Sequence, residues 1–142
     1  MPGTGPVAVD PPPPGMSRRT RLSLLGLCLL MGGSGALHFA VPAPYRRIVP
    51  ALLRSQAAAV VAASGVCELL CAALLAVPRT RRFGAYATAA VLVAVFPANI
   101  QMALDTLRAD ASVSPLAATI VWLRLPLQYP LIRWALRFRC SD

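Results

Sequence analysis

Four long apolar runs, separated by short polar or proline-containing segments, dominate the chain. They cover about residues 21–40, 55–77, 83–104 and 114–136. Each run is close to the ~20 residues that a helix needs to cross ~30 Å of hydrocarbon. The pattern therefore predicts four transmembrane helices. The fourth has a marked start, because Ser114 suits an N-cap and Pro115 the first helical position.

The segment before these runs has a different composition. Residues 1–17 read MPGTGPVAVDPPPPGMS and are rich in proline and glycine. Such a segment cannot bury enough apolar surface to offset the entropy of ordering, so we predict a disordered tail. Residues 18–138 form the predicted folded unit. The predicted fold class is all-α, an integral membrane four-helix bundle with a disordered N-terminal tail.

The first apolar run has two interpretations. A basic start, an apolar middle and small residues near its end fit a cleaved signal peptide. Three further runs favour an uncleaved first helix instead. Gly32, Ala36 and Ala40 are spaced four apart in this run, and they would form a small-residue face that another helix could approach closely.

Composition supports a bilayer as the main partner. The 142 residues are 57% hydrophobic and 13% charged, and all 14 basic residues are arginine. Their mean hydropathy is +0.63. A net charge of +9 also raises the question of nucleic acid. However, the arginines lie in short clusters between apolar runs, so positive-inside topology explains them better and no nucleic-acid partner is expected.

Arginine placement predicts the orientation. With a cytoplasmic N-terminus, the inside would carry Arg18, Arg19, Arg21, Arg79, Arg81, Arg82, Arg137 and Arg139. The outside would carry Arg46, Arg47, Arg54 and Arg108. Cytoplasmic loops carry the excess of arginine in membrane proteins. We therefore predict a multi-pass protein of the bacterial plasma membrane with both termini cytoplasmic.

Charged and amide side chains lie at membrane depth in two of the runs. Glu68 is near the middle of the second run and Arg124 near the middle of the fourth. Both runs would point inward, and their depths agree within roughly 5 Å at the rise of a helix. An internal Glu68–Arg124 ion pair is the resulting prediction, with Gln128 one turn from Arg124 completing a network. A purely structural role for the pair is the alternative.

A second polar group is predicted at the outer ends of the first and third runs. The stretch VFPANIQMAL places Pro97, Asn99 and Gln101 late in the third run, while His38 lies late in the first. Pro97 should kink the helix and free the carbonyl of Val93. These residues predict a polar mouth that leads toward Glu68. The alternative is that they only cap and join helices.

Motifs for metals and nucleotide cofactors are missing from the sequence. His38 is the single histidine, and Cys28, Cys67, Cys71 and Cys140 include no CxxC pair. Cys67 and Cys71, four residues apart in an apolar run, are interpreted as packing residues. No GxGxxG, Walker A or CxxCH motif occurs. We therefore predict no metal site, no catalytic residue and no bound cofactor, with a quinone as the one ligand class that the polar mouth suggests.

Several stretches together resemble the DoxX-like family of small bacterial membrane proteins. They are GALHFAVPAPYRRIVP, SGVCELL, PRTRRFGAY, VFPANIQMA and RLPLQ, in this order over roughly residues 30–135. The resemblance implies a bundle of four membrane helices. The family is named after a subunit of a thiosulfate:quinone oxidoreductase. His38, Glu68, Asn99 and Arg124 fall within the matching motifs, but no redox-active cysteine motif does.

Three functions fit these observations. The first is an accessory or redox-associated membrane subunit, with other membrane or redox subunits as partners. The second is a quinone site in which His38 or Glu68 transfers a proton. The third is a small transporter or proton pathway through the polar interior. The sequence leaves open whether the protein is an enzyme.

Overall fold

The computed structural model describes residues 16–108 and 114–140, and these form helices joined by short turns. The α-helices are α1 (Arg18–Ala40), α2 (Pro42–Arg47), α3 (Ala57–Ala76), α4 (Arg81–Ala94), α5 (Phe96–Arg108) and α6 (Pro115–Leu136). Short 3-10 helices span Ala51–Gln56, Pro78–Thr80 and Arg137–Cys140. The described ranges contain no strand, so the helical class is confirmed for them. The predicted tail lies outside the described residues, apart from positions 16 and 17.

Three helical stretches are long and apolar enough to cross a membrane. They are Arg18–Ala40, Ala51–Ala76 and Pro78–Arg108. The fourth predicted span is the helix α6, which has spanning length at 22 residues but is not among these three. Two arginines, Gln128 and two prolines interrupt its apolar run. The structure therefore supports a helical protein with three candidate spans, and the fourth crossing stays a prediction.

The third predicted span is two helices, not one. A turn at the single residue Val95 separates α4 from α5, and Val95 keeps right-handed helical dihedral angles, φ −83° and ψ −6°. The amide of Val95 donates to the carbonyl of Val91 at 3.0 Å, and the amide of Asn99 donates to the carbonyl of Val95 at 3.2 Å. Pro97 is the second residue of α5, where its missing N–H costs nothing. The proline thus begins a new helix at this break.

Two glycines let α1 and α3 cross closely. A Cβ atom on Gly35 would lie 2.9 Å from the carbonyl oxygen of Gly65, and one on Gly65 would lie 2.8 Å from Cβ of His38. The face expected from Gly32, Ala36 and Ala40 does not make this contact, because Ala36 and Ala40 are exposed. The crossing residue is Gly35, and it lies one turn before His38 just as Gly65 lies one turn before Glu68.

An apolar core fills one end of the bundle. Its buried residues come from the start of α1, the end of α3, the start of α4 and the C-terminal residues: Leu24, Leu27, Met31, Cys71, Leu75, Ala85, Ala135 and Phe138. The indole of Trp134 donates to Ser23 Oγ at 2.8 Å and joins α6 to α1. The Arg81 Nε donates to the carbonyl of Leu75 at 3.1 Å and closes the turn between α3 and α4.

This packing gathers the chain segments that carry most of the arginines. The start of α1, the turn before α4 and the residues after α6 meet here, and we call this side the arginine-rich end. It holds Arg18, Arg19, Arg21, Arg79, Arg81, Arg82, Arg137 and Arg139. The eight arginines that the sequence analysis assigned to the cytoplasmic side therefore lie at one end of the folded bundle.

Candidate functional site

A cavity of about 350 Å³ lies in the half of the bundle away from the arginine-rich end. Its walls come from α1, α3, the break between α4 and α5, the middle of α6, and residues 45–53. Aliphatic side chains form most of the lining. Its polar lining residues are Ser34, His38, Tyr45, Ser64, Glu68, Asn99, Arg124 and Gln128. We call this the central cavity, and its volume lies in the range of small-molecule sites, roughly 300–1,000 Å³.

The single histidine and the single glutamate of the chain meet in this cavity. Nδ1 of His38 is 3.6 Å from Oε2 of Glu68, and both side chains are buried. The same Nδ1 lies 2.8 Å from the carbonyl oxygen of Ser34. Because a carbonyl oxygen only accepts, Nδ1 carries a hydrogen in this contact and donates a hydrogen bond to the carbonyl oxygen of Ser34. The Gly35–Gly65 crossing creates this contact, since it brings the following turns of α1 and α3 together.

Glu68 retains an unused acceptor. Its Oε2 is buried and accepts no hydrogen bond, because 3.6 Å from His38 is a charge contact and too long for one. A buried polar atom without a partner costs free energy, about 1–3 kcal/mol and more for a charged group. If Glu68 and His38 are both charged, or both neutral, the two side chains together carry no net charge in the cavity. Glu68 lines the central cavity, so its carboxyl group is one of the polar groups that a molecule in the cavity would meet.

Asn99 and Gln128 join the broken helix to α6. Nδ2 of Asn99 donates to Oε1 of Gln128 at 3.1 Å, and Nε2 of Gln128 donates to the carbonyl oxygen of Leu92. Leu92 lies in the last turn of α4, so Gln128 binds the backbone on one side of the break and the side chain of Asn99 on the other. Irregular backbone persists at membrane depth where protein groups satisfy it. Gln128 is therefore a structural part of the cavity wall.

The predicted ion pair between Glu68 and Arg124 is not formed. Glu68 has His38 as its titratable neighbour, and Arg124 is exposed on α6 while lining the same cavity. The depth estimate put both charges at one level of the bundle. It could not reveal that the glycine crossing places α1, and not α6, directly against Glu68. Gln128 likewise binds Leu92 and Asn99, and no hydrogen bond joins it to Arg124.

Gln101 lies away from the predicted site. Its Nε2 donates to Oδ1 of Asp105 at 2.8 Å, one turn along α5, and it does not line the central cavity. Arg108 approaches the same carboxylate at 3.7 Å. Side chains two positions apart on a helix point in different directions, so Asn99 faces the cavity while Gln101 faces Asp105 and Arg108.

Tyr45 is a cavity residue that the site prediction omitted. Its ring stacks on that of His38, with 3.9 Å between the ring centroids and 31° between the planes. Tyr45 belongs to α2, the short helix after α1. One signal for this contact is present in the sequence. Tyr45 lies seven positions after His38, and a turn at Val41 and Pro42 can bring the two rings together. The contact packs the tyrosine ring against the imidazole at the cavity wall.

The described residues offer little support for metal or thiol chemistry. Among them no group of three or more His, Cys, Asp or Glu side chains comes together. The four cysteines are free thiols, and Cys67 is exposed while Cys71 is buried in the core. The residues at the central cavity are instead hydrogen-bonding and apolar groups. They suit reversible binding of an organic molecule.

Comparison with known proteins gives a family but no function. Residues 27–139 match the family described as Domain of unknown function (DUF8561). No curated protein and no solved structure matches the chain. The match covers most of the chain, from the middle of α1 to the turn after α6. The chain therefore belongs to this family.

Proposed function

We propose that this member of the DUF8561 family is a multi-pass membrane protein that binds the polar head of a small amphiphile in the central cavity. The observation that carries the proposal is the carboxyl group of Glu68, which lines the cavity beside His38 and has one buried oxygen without a hydrogen bond. A ligand that supplies a hydroxyl or N–H donor would give this carboxyl group a hydrogen-bond partner.

The lining of the cavity selects the ligand class. Most of the wall is aliphatic, while single polar side chains from α1, α2, α3, α5 and α6 also line it. Leu30, Leu53 and Leu127 line the cavity and are also partly exposed, so its rim is apolar. A ligand with a polar ring and an apolar tail would place the ring at Glu68 and the tail in lipid.

A quinol fits this description best. Its hydroxyl can donate to the carboxyl group of Glu68, and its flat ring can pack between aliphatic walls. Arg124 lines the same cavity and brings a guanidinium with five donors toward the acceptor oxygens of the oxidised form. Only the reduced form of the ligand, the quinol, would then supply a hydrogen-bond donor to Glu68.

The membrane arrangement is part of the proposal. Three candidate spans, a fourth helix of spanning length and the arginine-rich end support four crossings with both termini cytoplasmic. In that orientation the central cavity lies toward the outer leaflet. A bacterial plasma membrane, and a place beside other membrane or redox subunits, follow from the resemblance to DoxX-like proteins.

The packing favours binding over transport. Leu27, Met31, Cys71 and Leu75 are buried between the central cavity and the arginine-rich end. A conduction path needs polar groups or water along the whole membrane, because ions and protons are costly in hydrocarbon. These apolar side chains separate the polar groups of the central cavity from the arginine-rich end, which supports a site that binds and releases its ligand on one side.

The test is a binding titration with the full chain in lipid nanodiscs. The probe is a short-chain ubiquinol analogue, followed by calorimetry, with its oxidised form in parallel. Glu68→Gln should weaken quinol binding about tenfold, because it replaces a bond to a charged acceptor by a neutral one. Gln101→Ala is the matched control outside the cavity and should bind as the wild type does. Absent quinol binding, or equal affinity for Glu68→Gln, would refute the proposed site.

A further inference from the structure

A second pocket, of about 590 Å³, extends from Tyr129 on α6 to Cys140 and so reaches the arginine-rich end. The last turns of α6 and the 3-10 helix Arg137–Cys140 form it. Three arginines line it, namely Arg133, Arg137 and Arg139, together with the aromatic residues Tyr129 and Trp134. We call it the basic pocket.

The chain holds these arginines on a fixed base. Phe138, between Arg137 and Arg139, is 2% exposed and belongs to the apolar core. Its neighbours on either side are therefore directed outward, and both are exposed. Trp134 is fixed by its bond to Ser23 at 2.8 Å. The 3-10 helix is thus anchored by its apolar residue while it presents two guanidinium groups.

Arg133 is oriented by its own helix. Its Nη1 donates to the hydroxyl of Tyr129 at 3.1 Å, and its guanidinium carbon lies 5.8 Å from the centroid of that ring. These contacts use one face and one donor of a group that has five N–H donors. The remaining donors are available to a ligand.

No described carboxylate neutralises the basic pocket. The described acidic residues are Glu68, which neighbours His38 in the central cavity, and Asp105, which neighbours Arg108. The lining itself contains no acidic side chain. Three arginines therefore concentrate positive charge beside apolar and aromatic surface at the end of a long apolar helix.

We propose that the basic pocket binds the phosphate of an anionic phospholipid headgroup. The guanidinium fork matches two phosphate oxygens, which gives geometric as well as electrostatic selectivity. Tyrosine and tryptophan are typical of the membrane–water interface, and clusters of arginine beside a membrane helix attract anionic headgroups. Trp134, Pro130 and Leu136 line the same pocket and provide the apolar surface for the upper acyl chains. This surface distinguishes a lipid from free phosphate.

The experiment is native mass spectrometry of the full chain in detergent, titrated with phosphatidylglycerol or with phosphatidylcholine of the same acyl chains. Wild type should retain phosphatidylglycerol preferentially. Arg137→Gln/Arg139→Gln should bind it about tenfold more weakly. Arg46→Gln/Arg47→Gln removes the same charge from exposed residues at the other end and should bind as the wild type does. Circular dichroism checks the helix content of each variant.

Two further arms separate the possible outcomes. Inorganic phosphate at millimolar concentration should leave phosphatidylglycerol bound, and displacement would assign the pocket to a free anion and overturn the proposal. Arg137→Lys keeps the charge but loses the fork, so it should fold and bind with an intermediate affinity. Equal retention of the two lipids, or equal losses in the two double variants, would show a general charge effect and also overturn the proposal.

Discussion

The glycine crossing between α1 and α3 makes a sharp prediction, because the substitution Gly65→Ala adds a single methyl group. A Cβ atom there would lie 2.7 Å from Cε2 of Phe39, 2.8 Å from Cβ of His38 and 3.0 Å from the carbonyl oxygen of Gly35. The exposed Phe39 ring can rotate away. The other two atoms belong to the backbone of α1 or adjoin it, so α1 and α3 must separate.

The expected magnitude combines two opposing effects. Overpacking a close contact costs about 1–3 kcal/mol. Replacing glycine by alanine inside a helix stabilises it by about 0.5–1 kcal/mol. We expect Gly65→Ala to lower the free energy of unfolding by about 1–2 kcal/mol. Separation of the helices should also lengthen the His38–Glu68 contact and weaken ligand binding in the central cavity.

The matched control is Gly33→Ala in α1. A Cβ atom on Gly33 would meet nothing within 4 Å, so only the helix-propensity gain applies. Its free energy of unfolding should rise by up to about 1 kcal/mol. Reversible unfolding of both variants in mixed detergent micelles, followed by circular dichroism, measures the difference. Equal stability of the two variants would refute the crossing and the origin of the His38–Glu68 contact.

Three further predictions test other contacts. Gln128→Leu should lower the free energy of unfolding by about 2 kcal/mol, because it leaves the Leu92 carbonyl and the Asn99 amide without partners. Chemical unfolding measures this loss, and the control Gln101→Leu should show little change in the same assay. In a double-mutant cycle, the effects of Glu68→Gln and His38→Gln on the free energy of unfolding should couple by about 1 kcal/mol. The effects of Glu68→Gln and Arg124→Gln should be additive within about 0.5 kcal/mol. Stronger coupling to Arg124 than to His38 would instead support the ion pair with Arg124. Reporter fusions after residues 48, 79, 110 and 140 should report outside, inside, outside and inside, and a C-terminus outside would contradict four crossings.

The sequence predicted the first and fourth helices well because their apolar runs end beside Pro42 and Arg137. The first run, about residues 21–40, corresponds to α1, Arg18–Ala40. The fourth, about residues 114–136, corresponds to α6, Pro115–Leu136. The third run was expected as one helix kinked by Pro97, and the structure has a one-residue turn at Val95, two residues before that proline. Gln128 on α6 binds the carbonyl of Leu92 beside this turn, and a single-helix pattern contains no information on that partner.

The sequence placed the polar residues but not their partners. His38, Glu68, Asn99, Arg124 and Gln128 all line the central cavity, whereas Gln101 does not. Depth along each helix follows from residue number, and the rotation of each helix does not. The rotation of α1 depends on Gly35 and Gly65, which differ from the small-residue spacing that the sequence suggested. That is why His38, and not Arg124, is the neighbour of Glu68.

The most direct test of the proposed binding site uses the uniqueness of its two titratable residues. Glu68 is the single glutamate and His38 the single histidine. Cell-free synthesis with ¹³C-carboxyl glutamate and ¹⁵N-imidazole histidine therefore gives one NMR signal set for each residue in nanodiscs. Adding the quinol analogue should shift the Glu68 carboxyl and His38 imidazole resonances together and saturably, while a methyl-capped quinol without a donor should not. Unchanged resonances at saturating quinol, or equal shifts with the capped compound, would contradict a donor bound at Glu68.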